Sequence, residues 1–310
     1  MDGILNIDKT LGITSMDVVR QVKRITSQRH TGHAGTLDPE AAGVLPICLG
    51  QATRLMQYVV DGEKEYLATI RLGVTTDTYD SAGQVVEEQD ASGVTRSEVE
   101  ATLASMQGTI QQTPPMFSAL KSNGKRLHEL ARAGIKIEIA PRTVEVLKLD
   151  IIKWEPPLVT VTIHCKRGFY VRSLAYDLGQ VLGCGAHLAG LRRISTGPFH
   201  LDQAVTMEKV KAARDDNTLD SLLFPADYVV LKLNSVTLDT KEEKQIRNGQ
   251  PVPLSPRTHY APHLQQCRAY GPDGRFVALV RFNRSVKMWQ PFKVVQIGNP
   301  SRYSQENPLI

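Results

Sequence analysis

Residues 32–39, with the sequence GHAGTLDP, concentrate residue types that can carry out chemistry. The glycines allow the backbone to approach a ligand closely or to adopt a positive φ. Pro39 disfavours the α conformation for the residue before it, so Asp38 should stand on an extended, fixed corner. A rigid carboxylate of this kind suits a nucleophile or a general base. Because Asp-Pro also begins ordinary turns, the spacing alone leaves both interpretations open.

Other ligand-forming residues do not cluster along the chain. The cysteines at positions 48, 165, 184 and 267 are far apart and form no CxxC pair, unlike zinc sites and disulfide frameworks. We interpret them as scattered buried thiols. His33 has no second metal ligand at a suitable spacing. Asp77 and Asp80 share a polar loop and could suggest a magnesium site.

The composition is typical of a soluble globular protein. The chain has 310 residues, of which 41% are hydrophobic and 22% charged, and this length suits two domains. No apolar run approaches the roughly 20 residues that cross a bilayer. The first four residues lack the basic and apolar regions of a secretory signal. We therefore expect a cytoplasmic protein without a membrane partner.

The elements that must position these residues follow from periodicity and capping signals. Ser15 is expected to cap the first helix and Ser97 the second, because each precedes a helical pattern. The segment 28–45 has little periodicity and is expected to be irregular, which in a compact domain is often functional. Predicted strands cover residues 3–9, 64–72, 144–149, 159–165 and 192–201, and predicted helices cover 16–25, 97–106, about 126–133, and 171–181.

The sequence pattern of the chain changes after about residue 225. Short alternating strands lie between Gly, Pro and Asn turns, which predicts a small all-β barrel. Residues 229–310 hold 12 Lys and Arg against 5 Asp and Glu, whereas residues 1–228 are nearly neutral. We place a domain boundary near residue 228. A basic tail indicates either a module that binds a polyanion or a solvated basic surface without a partner.

Several motifs resemble the TruB-type tRNA pseudouridine-55 synthases, over roughly residues 3–200 and more weakly in the tail. GHAGTLDP is followed by AAGVLP at 41–46 and by GQATR at 50–54. Further matching runs are LGVTTDTYD at 72–80, PPMFSALK at 114–121, RGFYVRSL at 167–174 and LAGLRR at 188–193. The resemblance implies a mixed α+β fold, with a pseudouridine-synthase-like sheet flanked by helices and a PUA-like RNA-binding barrel at the C terminus.

The resemblance implies that Asp38 is the catalytic carboxylate. The family breaks the bond from C1′ of ribose to N1 of uracil, turns the base and rejoins it through C5, without a metal or cofactor. Either Asp38 attacks the uridine or it takes a proton from C2′, and both routes need an ionised carboxylate in a dry pocket. Arg172 should oppose the effect of burial on that carboxylate, through two parallel hydrogen bonds. Tyr66 should stack on uracil, with its hydroxyl available for proton transfer.

Three further residues match the family's pocket. Leu191 corresponds to an apolar residue that lines it, and Asp80 to a polar residue within it. The target base lies inside the folded T loop of tRNA, so it must be extruded, and flipping leaves a gap to fill. His33 corresponds to the residue that wedges into the vacated position.

Residues 109–142 resemble an insertion that folds over the T arm of tRNA like a thumb. Its basic side chains are expected to contact the RNA backbone, as is Lys64, and such contacts position RNA rather than read its sequence. The tail is expected to contact the acceptor end. The basic residues of the insertion are Lys121, Lys125, Arg126 and Arg132.

Three alternatives differ in the product they would form. An RNA-binding or RNA-folding protein on this scaffold would leave uridine unchanged, although pure binding would not require Asp38, Tyr66 and Arg172 together. A nucleoside hydrolase would release free uracil. A guide-RNA-dependent relative would act on another RNA, whereas a thumb and a basic tail on one chain favour a monomer that acts alone on tRNA.

Overall fold

The computed structural model describes residues 1–118, 120–122, 125–127, 135, 137–253 and 261–309, with only the backbone at positions 121, 122, 125 and 126. No helix in these ranges is long and apolar enough to cross a bilayer. The strands are β1 (Gly3–Lys9), β2 (Thr31–His33), β3 (Ala41–Leu49), β4 (Lys64–Leu72), β5 (Val74–Thr76), β6 (Val85–Glu88), β7 (Gly108–Gln112), β8 (Lys121–Ser122), β9 (Lys125–Arg126), β10 (Arg142–Glu155), β11 (Leu158–Cys165), β12 (Ala186–Thr196), β13 (Phe199–His200), β14 (Leu223–Phe224), β15 (Asn234–Thr237), β16 (Gln266–Tyr270), β17 (Phe276–Asn283) and β18 (Met288–Val294). The α-helices are α1 (Ser15–Thr26), α2 (Met56–Val60), α3 (Arg96–Ser105), α4 (Val171–Leu182), α5 (Met207–Asp215) and α6 (Thr240–Arg247).

Ten strands form one mixed sheet, whose main path runs β14-β1-β3-β12-β4-β11-β10-β7. β2 pairs with β3, and β13 pairs with β12. All these pairs are antiparallel except β3 and β12, which run parallel and place Leu191 beside Ala41. The mixed sheet expected from the sequence is therefore confirmed. This parallel pairing also brings the end of the 32–39 segment close to the middle of β12.

Helices cover this sheet through their apolar faces. Val18 and Val22 of α1 are fully buried in the same core as Leu5 of β1 and Leu178 of α4. α1 lies beside α5, and α3 lies beside α4. Burial of such faces is the main favourable contribution to folding, so the sheet and its helices form a rigid support for loops at the sheet's edge.

The first and third helices are capped by threonines rather than by the expected serines. The Thr14 hydroxyl accepts a hydrogen bond from the backbone N–H of Asp17, and Thr95 accepts one from Glu98. Each acidic side chain bonds back to the backbone N–H of its threonine, which completes a capping box. Ser15 was the wrong cap because its hydroxyl bonds instead to a loop outside the helix.

The expectation of an irregular segment at 28–45 was wrong in part. Residues 31–33 form β2, and β3 begins at residue 41. Every residue of β3 is buried, so the strand shows no alternation of apolar and polar residues. Gly43 and Pro46 within it also resemble loop signals. The irregular parts of this segment are residues 28–30, before β2, and residues 34–40, between β2 and β3.

The C-terminal part is not purely β. Its described residues form an open four-stranded sheet, in the order β15-β16-β17-β18, together with α6. The expected all-β barrel is therefore not confirmed for these residues, because their sheet is open and residues 240–247 form a capped helix. Tyr270 and Phe276 of this sheet share a core with Ile4 and Cys48 of the large sheet.

Little of the expected thumb can be compared with the structure. The backbone at 121–122 pairs with that at 125–126 as two short antiparallel strands. The side chains of Lys121, Lys125 and Arg126 lie outside the described residues, as does the whole of Arg132. Most of the predicted helix near 126–133 also falls outside them.

Candidate active site

The Asp38 loop, residues 34–40, connects β2 to β3 and is fixed by buried polar side chains. The Ser15 hydroxyl donates to the carbonyl of Leu37 and accepts from its N–H, both at 2.8 Å. The Lys9 ammonium donates to the carbonyls of Ala41 at 2.7 Å and Pro39 at 3.4 Å. Since these bonds flank Asp38 on both sides, the loop conformation is set by the first strand and the first helix.

Arg172 lies in the first turn of α4 and faces the Asp38 loop. Its Nη2 is 2.9 Å from Oδ2 of Asp38, and its Nη1 is 3.5 Å from Oδ2 of Asp80. It also donates to the carbonyl of Phe117 at 2.9 Å and that of Thr78 at 3.4 Å. The expected pair of parallel bonds to Asp38 is absent from these contacts, because Nη1 is shared by Asp80 and Thr78. One cation therefore connects two carboxylates.

Burial differs sharply across the ion pair. The Arg172 side chain is 8% exposed, whereas the Asp38 side chain is 44% exposed. The dry pocket expected around Asp38 is thus half open in the free protein. The carboxylate stands at the mouth of the cavity, where a bound molecule would have to cover it.

The start of α4 is held by an amide from the neighbouring strand. Tyr170, the N-cap residue, makes no side-chain cap. Instead, the Gln112 side chain accepts from the Tyr170 N–H at 2.8 Å and donates to its carbonyl at 3.0 Å. The Ser173 hydroxyl donates to the Thr113 carbonyl at 2.7 Å. These bonds satisfy groups that a helix end leaves unpaired and fix the turn that carries Arg172.

Asp80 occupies a strained turn opposite α4. Tyr79, the residue before it, has φ of +64°, which a non-glycine residue rarely adopts. The Tyr79 ring stacks on Tyr176 of α4, with 4.0 Å between centroids. Thr78 donates to Oδ1 of Asp80 at 2.6 Å. Because Tyr176 lies four residues after Arg172, the stack and the Asp80–Arg172 contact join the same two elements.

A cavity of about 270 Å³ opens beside Asp38. Tyr66 from β4 and Leu191 from β12 line it together with Asp38 and Arg172. Tyr66 is 8% exposed, and burial raises the pKa of its hydroxyl, an effect that nearby Arg193 opposes. The structure therefore brings four of the sequence-derived residues around one cavity, while Asp80 joins them through Arg172.

Lys64 also lines the cavity, but its environment differs from the expected one. Its side chain is buried, and its ammonium donates to the carbonyls of Val60 at 2.8 Å and Gly62 at 2.6 Å. Burial lowers the pKa of Lys64 to about 8, and the positive charge of Arg193 contributes. The ammonium of Lys64 is therefore engaged by carbonyls in the free protein, and its expected contact with the RNA backbone stays a prediction.

His33 lies on β2, opposite Ile47, and is half-buried. Its Nδ1 is buried, and none of the described residues accepts from or donates to it. Burial and Arg193 both lower the pKa of the ring. His33 is not one of the described residues that line the cavity.

Arg193 is the residue that the sequence interpretation missed. It is 1% exposed and lines the cavity, on β12 directly opposite Tyr66 on β4. It donates to the carbonyls of Val44 at 2.7 Å, Gly35 at 3.0 Å and Thr36 at 3.5 Å. No local signal marked it, because β12 reads AHLAGLRRIST and Arg193 is one of several polar residues in this strand, next to the partly exposed Arg192.

Family models and curated relatives match most of this chain. The model of the N-terminal domain of the TruB family pseudouridylate synthases matches residues 23–171, and that of the tRNA pseudouridylate synthase B C-terminal domain matches residues 172–231. The tRNA pseudouridine synthase B of Dehalococcoides mccartyi strain CBDB1 is 42% identical over 294 residues, covering 95% of this chain and 96% of that protein. The tRNA pseudouridine synthase B of Pseudomonas aeruginosa strain UCBPP-PA14 is 41% identical over 282 residues, covering 90% and 91%.

Solved structures show a similar fold at lower identity. A Cbf5–Nop10–Gar1 complex contains a chain with a TM-score of 0.68 and 24% identity, with 99% of this chain and 87% of that chain covered. An H/ACA RNP bound to a substrate RNA containing 2′-deoxyuridine gives a TM-score of 0.71 at 22% identity, with the same coverage. Given the sequence identity to the curated relatives over nearly its whole length, the chain belongs to the TruB family of pseudouridylate synthases.

Proposed function

We propose that this protein converts uridine 55 in the T loop of tRNA to pseudouridine, acting as a monomer in the cytoplasm and without a cofactor. The observation that carries the proposal is the contact between Asp38 and Arg172 at the mouth of a cavity lined by Tyr66 and Leu191. The name of the curated relatives, tRNA pseudouridine synthase B, supports tRNA as the substrate.

The reaction balances as an isomerisation. The bond between C1′ and N1 breaks with its electron pair passing to the base, and C5 forms the new bond to C1′. C5 then loses its proton and N1 gains one, so no oxidant or reductant is needed. Asp38 either attacks the uridine and is released when C5 bonds to C1′, or takes a proton from C2′ and returns it in that step, while Arg172 holds the carboxylate in position. The Tyr66 ring holds the base, and its hydroxyl takes part in moving the proton from C5.

Access to the base requires flipping out of the T loop, and the flipped uracil would cover the exposed side of Asp38. In this proposal His33 fills the position that the base leaves. Residues 109–142 and 229–310 hold the T arm and the acceptor end respectively, with the net positive charge of the second segment favouring RNA. Residues 1–228 then form the catalytic domain.

The test is a T-arm stem-loop incubated with the wild type and with Asp38→Asn, followed by nucleoside analysis. We expect pseudouridine from the wild type and a rate at least about 10³-fold lower from Asp38→Asn, with RNA binding retained by both. A stem-loop with cytidine at position 55 is the control for the modified position. Free uracil would indicate a hydrolase, and binding without a product would indicate an RNA-binding protein.

A further inference from the structure

The cavity beside Asp38 carries more positive than negative charge. Its described lining includes one carboxylate, Asp38, and three cations, Lys64, Arg172 and Arg193. Arg172 is shared by Asp38 and Asp80. Within the part of the chain that the structure describes, neither Lys64 nor Arg193 has a carboxylate at ion-pair distance. The cavity is therefore cationic beyond what its carboxylates neutralise.

Arg193 is the most deeply buried of these cations. Its guanidinium is held by the carbonyls of Val44, Gly35 and Thr36, and it faces the Tyr66 hydroxyl. A charge buried without a counter-ion is costly, and carbonyl dipoles offset only part of that cost. A fixed positive charge in a water-poor site is well suited to stabilise negative charge that appears only during a reaction.

We propose, building on the proposed function, that Arg193 stabilises the uracil anion formed when the bond between C1′ and N1 breaks. The electron pair of that bond passes to the base and spreads over N1 and the two carbonyl oxygens. The charge disappears again when C5 bonds to C1′ and loses its proton. Arg193 neither gives nor takes a proton in these steps. Its contribution is electrostatic, because all three nitrogen atoms of its guanidinium already donate to backbone carbonyls.

The test compares two leaving groups on the same enzyme. A T-arm stem-loop carries either uridine or 5-fluorouridine at the target position, and cleavage of the N-glycosidic bond is followed in a single turnover with saturating enzyme. Fluorine makes the base more acidic, so the anion of 5-fluorouracil depends less on stabilisation by a nearby positive charge. We expect Arg193→Gln to slow cleavage of uridine about tenfold or more beyond its slowing of 5-fluorouridine cleavage. The ratio of the two cleavage rates measures this difference. Because folded enzyme saturates the RNA, the first-order rate constant does not depend on which fraction of a variant is folded.

The matched control is Arg192→Gln on the same strand. Arg192 is partly exposed and pairs with Asp8 at 2.7 Å, so its loss should leave the ratio of the two rates unchanged. Equal slowing of both substrates by Arg193→Gln would assign Arg193 a purely structural role and overturn the proposal. A loss of RNA affinity with an unchanged ratio would assign the positive charge to a phosphate and would also overturn it.

A second variant covers the case in which Arg193→Gln does not fold. Arg193→Lys keeps the charge, but a buried lysine loses its proton more readily than an arginine does. Between about pH 6.5 and about pH 9.5, its ratio should move away from the wild-type value. A ratio that tracks the wild type across this range would contradict the proposal. If the wild type forms no pseudouridine at all, the proposed function fails first, and the two failures remain distinct.

Discussion

Two buried arginine–tyrosine pairs lie in different parts of this protein and differ in their surroundings. In the C-terminal sheet, Arg268 donates to the Tyr270 hydroxyl at 2.8 Å, and that hydroxyl donates to Asp227 at 2.6 Å. In neither pair does a described carboxylate lie within ion-pair distance of the arginine, but in the active site, where Arg193 faces Tyr66, no described carboxylate bonds to the tyrosine hydroxyl either. The first pair is neutralised by its network, whereas the second is left cationic.

The buried charges of the C-terminal pair stabilise the fold, whereas the positive charge of the active-site pair can interact with charge that develops during a reaction. The Asp227 carboxylate also accepts from Ser301 at 2.5 Å, so the C-terminal network is a closed set of strong hydrogen bonds. Its tyrosine has a raised pKa because of burial and Asp227. Burial also raises the pKa of Tyr66, and in both pairs the arginine opposes the effect of burial on the tyrosine. The two pairs therefore differ in one group, the Asp227 carboxylate that bonds to the tyrosine of the C-terminal sheet.

The largest effect should come from removing the carboxylate of the C-terminal network. Asp227→Ala leaves the Tyr270 and Ser301 hydroxyls without their acceptor and removes the negative charge that reaches the buried Arg268 through Tyr270, so the free energy of unfolding should fall by about 3–5 kcal/mol. Asp38→Ala should change it by less than about 1 kcal/mol, because that carboxylate is partly exposed. Urea unfolding of both variants measures the contrast. Equal losses would show that the two sites are not energetically distinct.

A smaller effect is expected from deleting the two hydroxyls. Tyr270→Phe leaves Asp227 and Arg268 each short of one partner and should lower the free energy of unfolding by about 1–3 kcal/mol. Tyr66→Phe should leave stability nearly unchanged but slow single-turnover pseudouridine formation by about 10²-fold or more, because in the proposed function its hydroxyl takes part in moving the proton from C5. If Tyr66→Phe is the less stable variant, the active-site pair rather than the C-terminal pair stabilises the fold, which contradicts this comparison.

The sequence predicted the elements in which one face alone is buried. β4 alternates buried and half-exposed residues, and α4 repeats apolar residues at helical spacing, so both were found with nearly correct ends. β3 was missed because both of its faces are buried and the alternation disappears. α6 was missed because its residues 240–247 contain a single buried side chain, Ile246, and therefore little apolar periodicity.

The candidate site could be predicted only through its motifs. Asp38, Tyr66 and Arg172 come from three separate segments, and the motif resemblance selected them before any contact was known. The contact between Asp80 and Arg172, and the position of Arg193, depend on how β12 pairs with β3 and β4. That pairing joins residues more than a hundred positions apart, so no local pattern could reveal it.

The positive charge of the active site should also give it a pH dependence of stability, the smallest of these effects. The pKa of Lys64 falls from 10.5 to about 8 in the folded protein, so between these values the unfolded chain holds the proton more tightly. The contribution of Lys64 to stability should therefore increase as the pH rises through this window, by no more than about 1.4 kcal/mol per pH unit. The difference in unfolding free energy between the wild type and Lys64→Met isolates this term. The control is Lys148→Met at an exposed lysine that pairs with Asp150. If the difference in unfolding free energy falls with pH for Lys64→Met, or rises equally for both variants, burial in the cavity does not lower the pKa of the Lys64 ammonium.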